Sequence, residues 1–267
     1  MELRPLGGTN VMIPEIGLGV WKYRGGVNPL RRGVELGAFL IDTAEMYRTE
    51  DVVGQAVKGI REQVFIASKV SGGHLRHDDV LHAADASLRQ LETDSMDLYQ
   101  IHWPNSSVPI KDTMRAMETL VDRGLIKYIG VSNFSVSQLR VAQAAMSKYP
   151  IVSNQVLYNL NNRAIEYDLL PYCQQQNVTV IAYTPLDDGR LAAKPRFRRS
   201  QGMKAMEEVA SQVGKTLAQV ALNWCTSHPN VIAIPKSDSV ARTEENCGAS
   251  GWRLSPDQIQ RLDEAFS

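Results

Sequence analysis

Eight short runs of apolar and β-branched residues recur along the chain, separated by longer segments of helical spacing, and this alternation restricts the fold more than any other feature. The runs cover residues 15–19, 39–42, 64–69, 97–102, 128–132, 152–155, 178–183 and 231–235. A chain that returns through a helix from one strand to the next must cross a face of the sheet, so the alternation implies parallel pairing. Runs such as VFIAS and VTVIAY are apolar on both faces, the pattern of strands covered on both sides. Eight β-α units in 267 residues fit an α/β fold of the closed (β/α)8 TIM-barrel type better than an open doubly wound sheet.

The intervening segments carry helix signals. Residues 78–91 place Val80, Ala84, Leu88 and Leu91 at helical spacing. Ser135 precedes a periodic segment running to about Met146, and Ser255, Pro256 and Gln258 read as N-cap, first-turn proline and capping-box partner of a last helix. About 50 residues separate the seventh and eighth strands, with room for extra helices at 203–213 and 216–227 after a loop at 185–200. Gly7, Gly8, Thr9 and Asn10, between extended residues, predict an N-terminal β-hairpin that plugs one barrel end. With no internal repeat, low-complexity tract or linker, residues 1–267 read as one domain.

Composition excludes several functions. The 29 basic and 29 acidic residues cancel, so bulk charge favours neither a nucleic-acid nor a membrane-surface partner. Cys173, Cys225 and Cys247 have no CxxC spacing, which argues against a disulfide framework or zinc site and for a reducing cytoplasm. No segment has signal-peptide character or the roughly 18 apolar residues of a membrane span. His74, His77, Asp78 and Asp79 cluster at a helix start, where a solvated cap is expected rather than a metal.

In a barrel, active sites gather at the C-terminal ends of the strands. Asp42, Lys69 and His102 end the second, third and fourth strands, and Tyr47 follows on the loop after the second. Singly, each has an ordinary reading as a turn, packing or solvated residue; together they converge on one mouth. An aspartate beside Lys69 keeps the lysine charged, and a charged lysine near a phenol is expected to lower the tyrosine pKa from about 10. Tyr47 is then the proton donor, with His102 orienting a carbonyl substrate.

These residues bring a family into view. IDTAEMY, VFIASKV and DLYQIHWP resemble the strand-two, strand-three and strand-four motifs of the aldo-keto reductases, and the resemblance covers essentially the whole chain. It implies that Asp42, Tyr47, Lys69 and His102 form the family's catalytic tetrad. GVSNF and SNQVLY are similar to further family motifs, implying that Ser132, Asn133 and Gln155 hold the nicotinamide carboxamide. Tyr183 of YTPL would stack on the nicotinamide ring, and Thr184 and Leu186 join the cofactor set. IPKSDSVARTEEN resembles the family's segment for the adenosine 2'-phosphate, assigning Lys236, Ser237 and Arg242 to the phosphate and Glu245 and Asn246 to the adenine end. A phosphomonoester calls for cationic, forked donors and a helix N-terminus, so NADPH is expected over NADH.

The first strand resembles the family's GLGVW, and Lys22 stands where a dinucleotide fingerprint needs its third glycine, which disfavours a Rossmann domain. Trp21 and Trp103 are expected in the substrate pocket and Trp252 in the core. The short loop from Trp103 to Ile110 and the chain's stop after its last helix suggest reduced lids and a broad range of small carbonyl substrates. After the acids Asp187 and Asp188, which argue against a cofactor role for this loop, the basic residues Arg190, Lys194, Arg196, Arg198 and Arg199 read equally as a cover for the pyrophosphate or as solvated surface. Two other functions are weighed: a nicotinamide-sensing regulatory subunit with vestigial turnover, and an aldolase or isomerase with Lys69 as Schiff base. Monomer and weak homodimer are both compatible with the balanced charge.

Overall fold

A computed structural model of the protein describes residues 1–193 and 200–267. The chain opens with an antiparallel hairpin, β1 (Leu3–Pro5) and β2 (Met12–Pro14), with Arg4 opposite Ile13. Eight parallel strands follow in sequential order: β3 (Leu18–Gly19), β4 (Leu40–Asp42), β5 (Phe65–Val70), β6 (Met96–Ile101), β7 (Ile126–Ser132), β8 (Ile151–Leu157), β9 (Thr179–Tyr183) and β10 (Val231–Ala233). Single parallel bridges, Ile16 to Ala233 and Gly19 to Lys236, join the first strand to the last and close the sheet into the expected barrel.

The outer wall consists of α1 (Val27–Glu35), α2 (Glu50–Val57), α3 (His77–Leu91), α4 (Ile110–Asp122), α5 (Val136–Ala145), α6 (Leu169–Gln175), α7 (Gln201–Val213), α8 (Leu217–Ser227), α9 (Val240–Cys247) and α10 (Pro256–Ala265). Complete capping boxes start three of them, pairing Ser135 with Gln138, Thr216 with Gln219 and Ser255 with Gln258. Each box satisfies two of the amide groups that a helix start leaves without partners. Helices α7 and α8 are the extra pair between β9 and β10.

Strand alternation divides the apolar residues into two cores. Ile66 and Val70 face the helices and join the larger one. Phe65 and Ala67 face inward beside Leu40, Leu98, Ile181 and Ile232, and Leu6 and Ile13 of the hairpin region complete this inner cluster. The hairpin is thus the plug, and Lys69, two residues beyond Ala67, shares its inward face at the opposite end.

The first and last strands are shorter than their apolar runs. Only Leu18 and Gly19 form a ladder with β4; residues 15–17 pair through their backbone with β10 instead, and the Glu15 side chain is buried with Arg4, Ser250 and Arg253. Strand β10 ends before Pro235, which has no N–H for the ladder. The glycines of the first strand answer this seam rather than a phosphate: a Cβ on Gly19 would lie 2.6 Å from the Ile234 carbonyl oxygen. Gly19→Ala is expected to destabilise the fold by about 1–3 kcal/mol, read as a lowered denaturant midpoint.

Candidate active site

Each residue of the proposed tetrad arrives from a different part of the barrel mouth. Asp42 ends β4, Lys69 lies near the end of β5, His102 directly follows β6, and Tyr47 ends a single 3-10 turn, Glu45–Tyr47, after β4. Lys69 is fully buried and spends its three protons inward: on Asp42 Oδ1 at 2.6 Å, on the Thr43 carbonyl at 2.8 Å and on Tyr47 Oη at 3.4 Å. Asp42 also accepts from Gln155 Nε2 at 2.7 Å and, more weakly, from Gln100 Nε2 at 3.5 Å. Gln100 escaped the sequence reading, since an amide inside an apolar run carries no signal until the barrel closes.

The phenol of Tyr47 lies 3.4 Å from His102 Nε2, the two rings meet edge-on, and Trp21 packs on the other side with centroids 4.8 Å apart. His102 is 6% exposed, and its Nδ1 has no hydrogen-bond partner among the described residues.

Electrostatics correct one expectation. Burial pushes the Tyr47 phenol above its usual range; the attraction of Lys69 opposes this and the charge of Asp42 adds to it, so the pKa is raised rather than lowered. Burial also disfavours charge on Lys69, but Asp42 and then Tyr47 outweigh it and hold the ammonium above its ordinary value. His102 is pulled down to about 3 by burial and then by Lys69. At neutral pH the site therefore presents a protonated phenol, a charged lysine and a neutral imidazole.

The pH dependence follows from these directions. A histidine whose folded pKa lies below its ordinary value favours folding above that value, and the contribution fades as pH falls toward the folded pKa. Turnover is expected to show no inflection near pH 6.5, because His102 stays neutral on both sides of it, whereas stability declines as pH falls from 6.5 toward 3. A pH series of kcat and of the melting midpoint checks both.

One cavity of about 720 Å³ gathers nearly all the remaining candidates. It is lined by Trp21, Tyr47, His102 and Trp103, by Ser132, Asn133, Gln155, Tyr183, Thr184 and Leu186, and by Lys236, Ser237, Arg242, Glu245 and Asn246. Lys69 stands behind Tyr47 and does not line it. Its size is ordinary for a ligand site. Asn133 adopts φ +63°, donates to the His102 carbonyl and Ser132 Oγ, and accepts from Tyr183 Oη at 3.0 Å. Asn133 Oδ1 retains a second lone pair, and Gln155 Oε1 is not engaged by the Asp42 bond. Together they suit a carboxamide NH2.

Ser239 caps α9, and the basic residues beside it are not equivalent. Lys236 is ion-paired with Asp238, whereas Arg242, in the first turn of α9, has a side chain with no hydrogen-bond or ion-pair partner among the described residues. Asp238, which also accepts from the Arg24 amide at 2.8 Å, lines the cavity and was missed, as were Lys22 and Met46. The two loop acids differ as well. Asp188 lines the cavity, while Asp187 is buried, takes φ +48° and accepts from Asn161 Nδ2 at 2.9 Å. Arg190 lies 3.6 Å from Asp187, and Lys194, Arg196, Arg198 and Arg199 lie outside the described residues.

His74 is bonded to Glu45 and His77 to Asp78, and among the described residues no group of His, Cys, Asp and Glu is arranged to hold a metal. Trp252 is half-buried against the core, as expected. All three cysteines are buried and free. Among the described residues no helix is long and apolar enough to cross a membrane.

The model of the Aldo/keto reductase family matches residues 15–266. The chain belongs to that family. It is 40% identical over 269 residues to methylglyoxal reductase YeaE of Escherichia coli (strain K12), covering 96% of this chain and 92% of the relative. Glyoxal reductase of Bacillus subtilis (strain 168) is 35% identical over 261 residues, covering 96% and 90%. Among solved structures, the thermostable aldo-keto reductase Tm1743, in complex with the inhibitor epalrestat, superposes with a TM-score of 0.92 at 40% identity, covering 99% of this chain and 100% of that one. An aldo-keto reductase from Klebsiella pneumoniae in complex with NADPH gives 0.91 at 36% identity, covering 100% and 96%. The family places this chain among the carbonyl-reducing oxidoreductases.

Proposed function

We propose that this protein is an NADPH-dependent reductase of small aldehydes and ketones, with 2-oxoaldehydes such as methylglyoxal among its substrates, and that Tyr47 is its general acid. The observation that carries the reading is one cavity lined both by the Tyr47–His102 pair and by Arg242, whose guanidinium has no ion-pair partner among the described residues. Its donor set suits the dinucleotide: amide acceptors and a forked cation at a helix start. When bound, NADPH supplies the hydride that reaches the carbonyl carbon. The chain supplies the rest. Neutral His102 orients the carbonyl oxygen, Tyr47 transfers its phenolic proton to that oxygen, and Lys69 stabilises the phenolate left behind, with Asp42 keeping the lysine charged. The product is the alcohol. The related names and the NADPH-bound neighbour support the substrate class and the cofactor.

Lys69 suits this role better than that of a Schiff-base nucleophile, which needs a neutral amine. Exposed Trp21, Met46 and Trp103 leave the mouth open and apolar, in keeping with a broad range of small carbonyl compounds. In this reading residues 1–267 work as one barrel domain, as monomer or weak homodimer.

Following NADPH oxidation with methylglyoxal and a panel of ketones and keto-sugars tests the proposal, with NADH run in parallel. Arg242→Ala is expected to weaken NADPH binding about ten- to a hundredfold, the worth of a charge-assisted hydrogen bond, and to leave NADH binding unchanged. Tight NADPH binding with no turnover on any carbonyl would turn the assignment toward nucleotide sensing.

A further inference from the structure

The segment that carries Tyr47 is short and anchored mainly through the Tyr47 ring itself. It is a single 3-10 turn, Met46 within it is 50% exposed, and Arg48 leaves it through the left-handed region at φ +54°. A phenol on such a segment should wander, yet proton transfer requires its oxygen to be held against both Lys69 and His102.

The restraint comes from bonds directed at one strand. At the start of the segment, the Thr43 carbonyl accepts from Lys69 Nζ at 2.8 Å. In the middle, Glu45 Oε1 accepts the Ser71 backbone N–H at 2.7 Å and lies 3.0 Å from His74 Nδ1. At the end, Ser68 Oγ donates to Glu50 Oε1 at 2.5 Å, and Thr43 and Thr49 share a hydroxyl hydrogen bond at 3.0 Å that closes the base of the loop. Ser68 and Ser71 flank Lys69 on β5 and its continuation. The acid and the lysine that would stabilise its phenolate therefore hang from the same support. Glu50 is 5% exposed at the first turn of α2, with its carboxylate committed to the neighbour of Lys69. Neither Glu45 nor Glu50 lines the cavity, so neither touches substrate or cofactor.

We infer that Glu45 and Glu50 are positioning residues for the proposed reduction: they staple the Tyr47 loop to strand β5 and so fix the phenol against Lys69 and His102. This rests on Tyr47 acting as the acid. It adds two carboxylates outside the tetrad to the machinery, acting only through geometry.

Glu45 offers the cleaner test, because it is nearer the surface than Glu50. Glu45→Ala is expected to lower kcat with methylglyoxal about ten- to a hundredfold, the cost of a small misplacement of a reacting group, with KM for NADPH unchanged. Glu45→Gln keeps an oxygen acceptor for the Ser71 amide and is expected to restore most of kcat. A second readout is the pH profile of alcohol oxidation, in which Tyr47 must first lose its proton. Lys69, Asp42, His102 and Tyr183 face the phenol, and of these Lys69 draws its pKa down. Because burial raises that pKa and Lys69 lowers it, a phenol freed from the staple shifts the alkaline limb in Glu45→Ala, but not in Glu45→Gln. Glu50→Ala is expected to lower kcat likewise, and Glu50→Gln, which keeps an acceptor for Ser68, to recover part of it, so the Glu45 pair decides if Glu50→Ala does not fold. Parent-like kcat and limb in Glu45→Ala overturn the staple alone. Equal loss in the alanine and glutamine variants assigns the effect to charge and overturns the hydrogen-bond account. A parent without turnover on any carbonyl overturns the reductase reading, and the staple's role with it.

Discussion

Tyr47→Phe is expected to cut turnover of methylglyoxal by about a hundred- to ten-thousandfold, the range for loss of a positioned general acid, while NADPH affinity stays at the parent level. The substitution removes one oxygen and little else. The ring keeps its packing on Trp21 and its edge contact with His102, and the ion pair of Lys69 with Asp42 does not depend on the phenol. Lost rate without lost binding would isolate the proton transfer. Steady-state kcat beside a fluorescence titration of NADPH separates the two. A variant that retains most of its rate would move the acid to solvent.

Lys69→Met is expected to be the most damaging single change to stability, at about 3–5 kcal/mol, because it leaves the Asp42 carboxylate buried without its cation. Gln155 and Gln100 still donate to Asp42, which places the loss toward the lower end of that range. Pairing it with Asp42→Asn removes the stranded charge, so the double variant is expected to regain most of the melting midpoint and none of the turnover. That divergence would show that the pair is held for chemistry rather than for folding. Recovery of both together would reduce Lys69 to a structural ion-pair partner.

The barrel was legible in the chain because its parallel strands, buried on both faces, print as apolar runs, and because capping serines at 135 and 255 mark helix starts without reference to the rest of the fold. Site residues at strand ends were legible for the same reason: once strand order is known, Asp42, Lys69 and His102 must share one mouth. What escaped were properties set by the balance of several neighbours. A charged lysine beside a phenol predicts a lowered pKa, but the outcome depends on how far burial outweighs that attraction. The pairing of Lys236 with Asp238, while the Arg242 side chain has no ion-pair partner among the described residues, is decided by side-chain directions on a short loop. Gln100 was invisible because its partner is 58 positions away.

The seam between β3 and β10 carries a particular entropic cost. Neighbouring strands elsewhere in the barrel are close in sequence, so their pairing closes short loops, whereas Ile16 and Ala233 must find each other across nearly the whole chain. Closure therefore carries a larger loop-entropy cost than pairing of neighbouring strands, and the ladder there consists of two isolated bridges, supported by the Arg24 amide on Asp238 and the Arg32–Glu244 ion pair. The large cavity straddles that join, with Val20, Trp21 and Lys22 on one side and Pro235, Lys236 and Ser237 on the other. A dinucleotide lying there would act as a clasp across the join, adding to the closed state by mass action. The join with the greatest sequence separation would then be the one that the nucleotide reinforces.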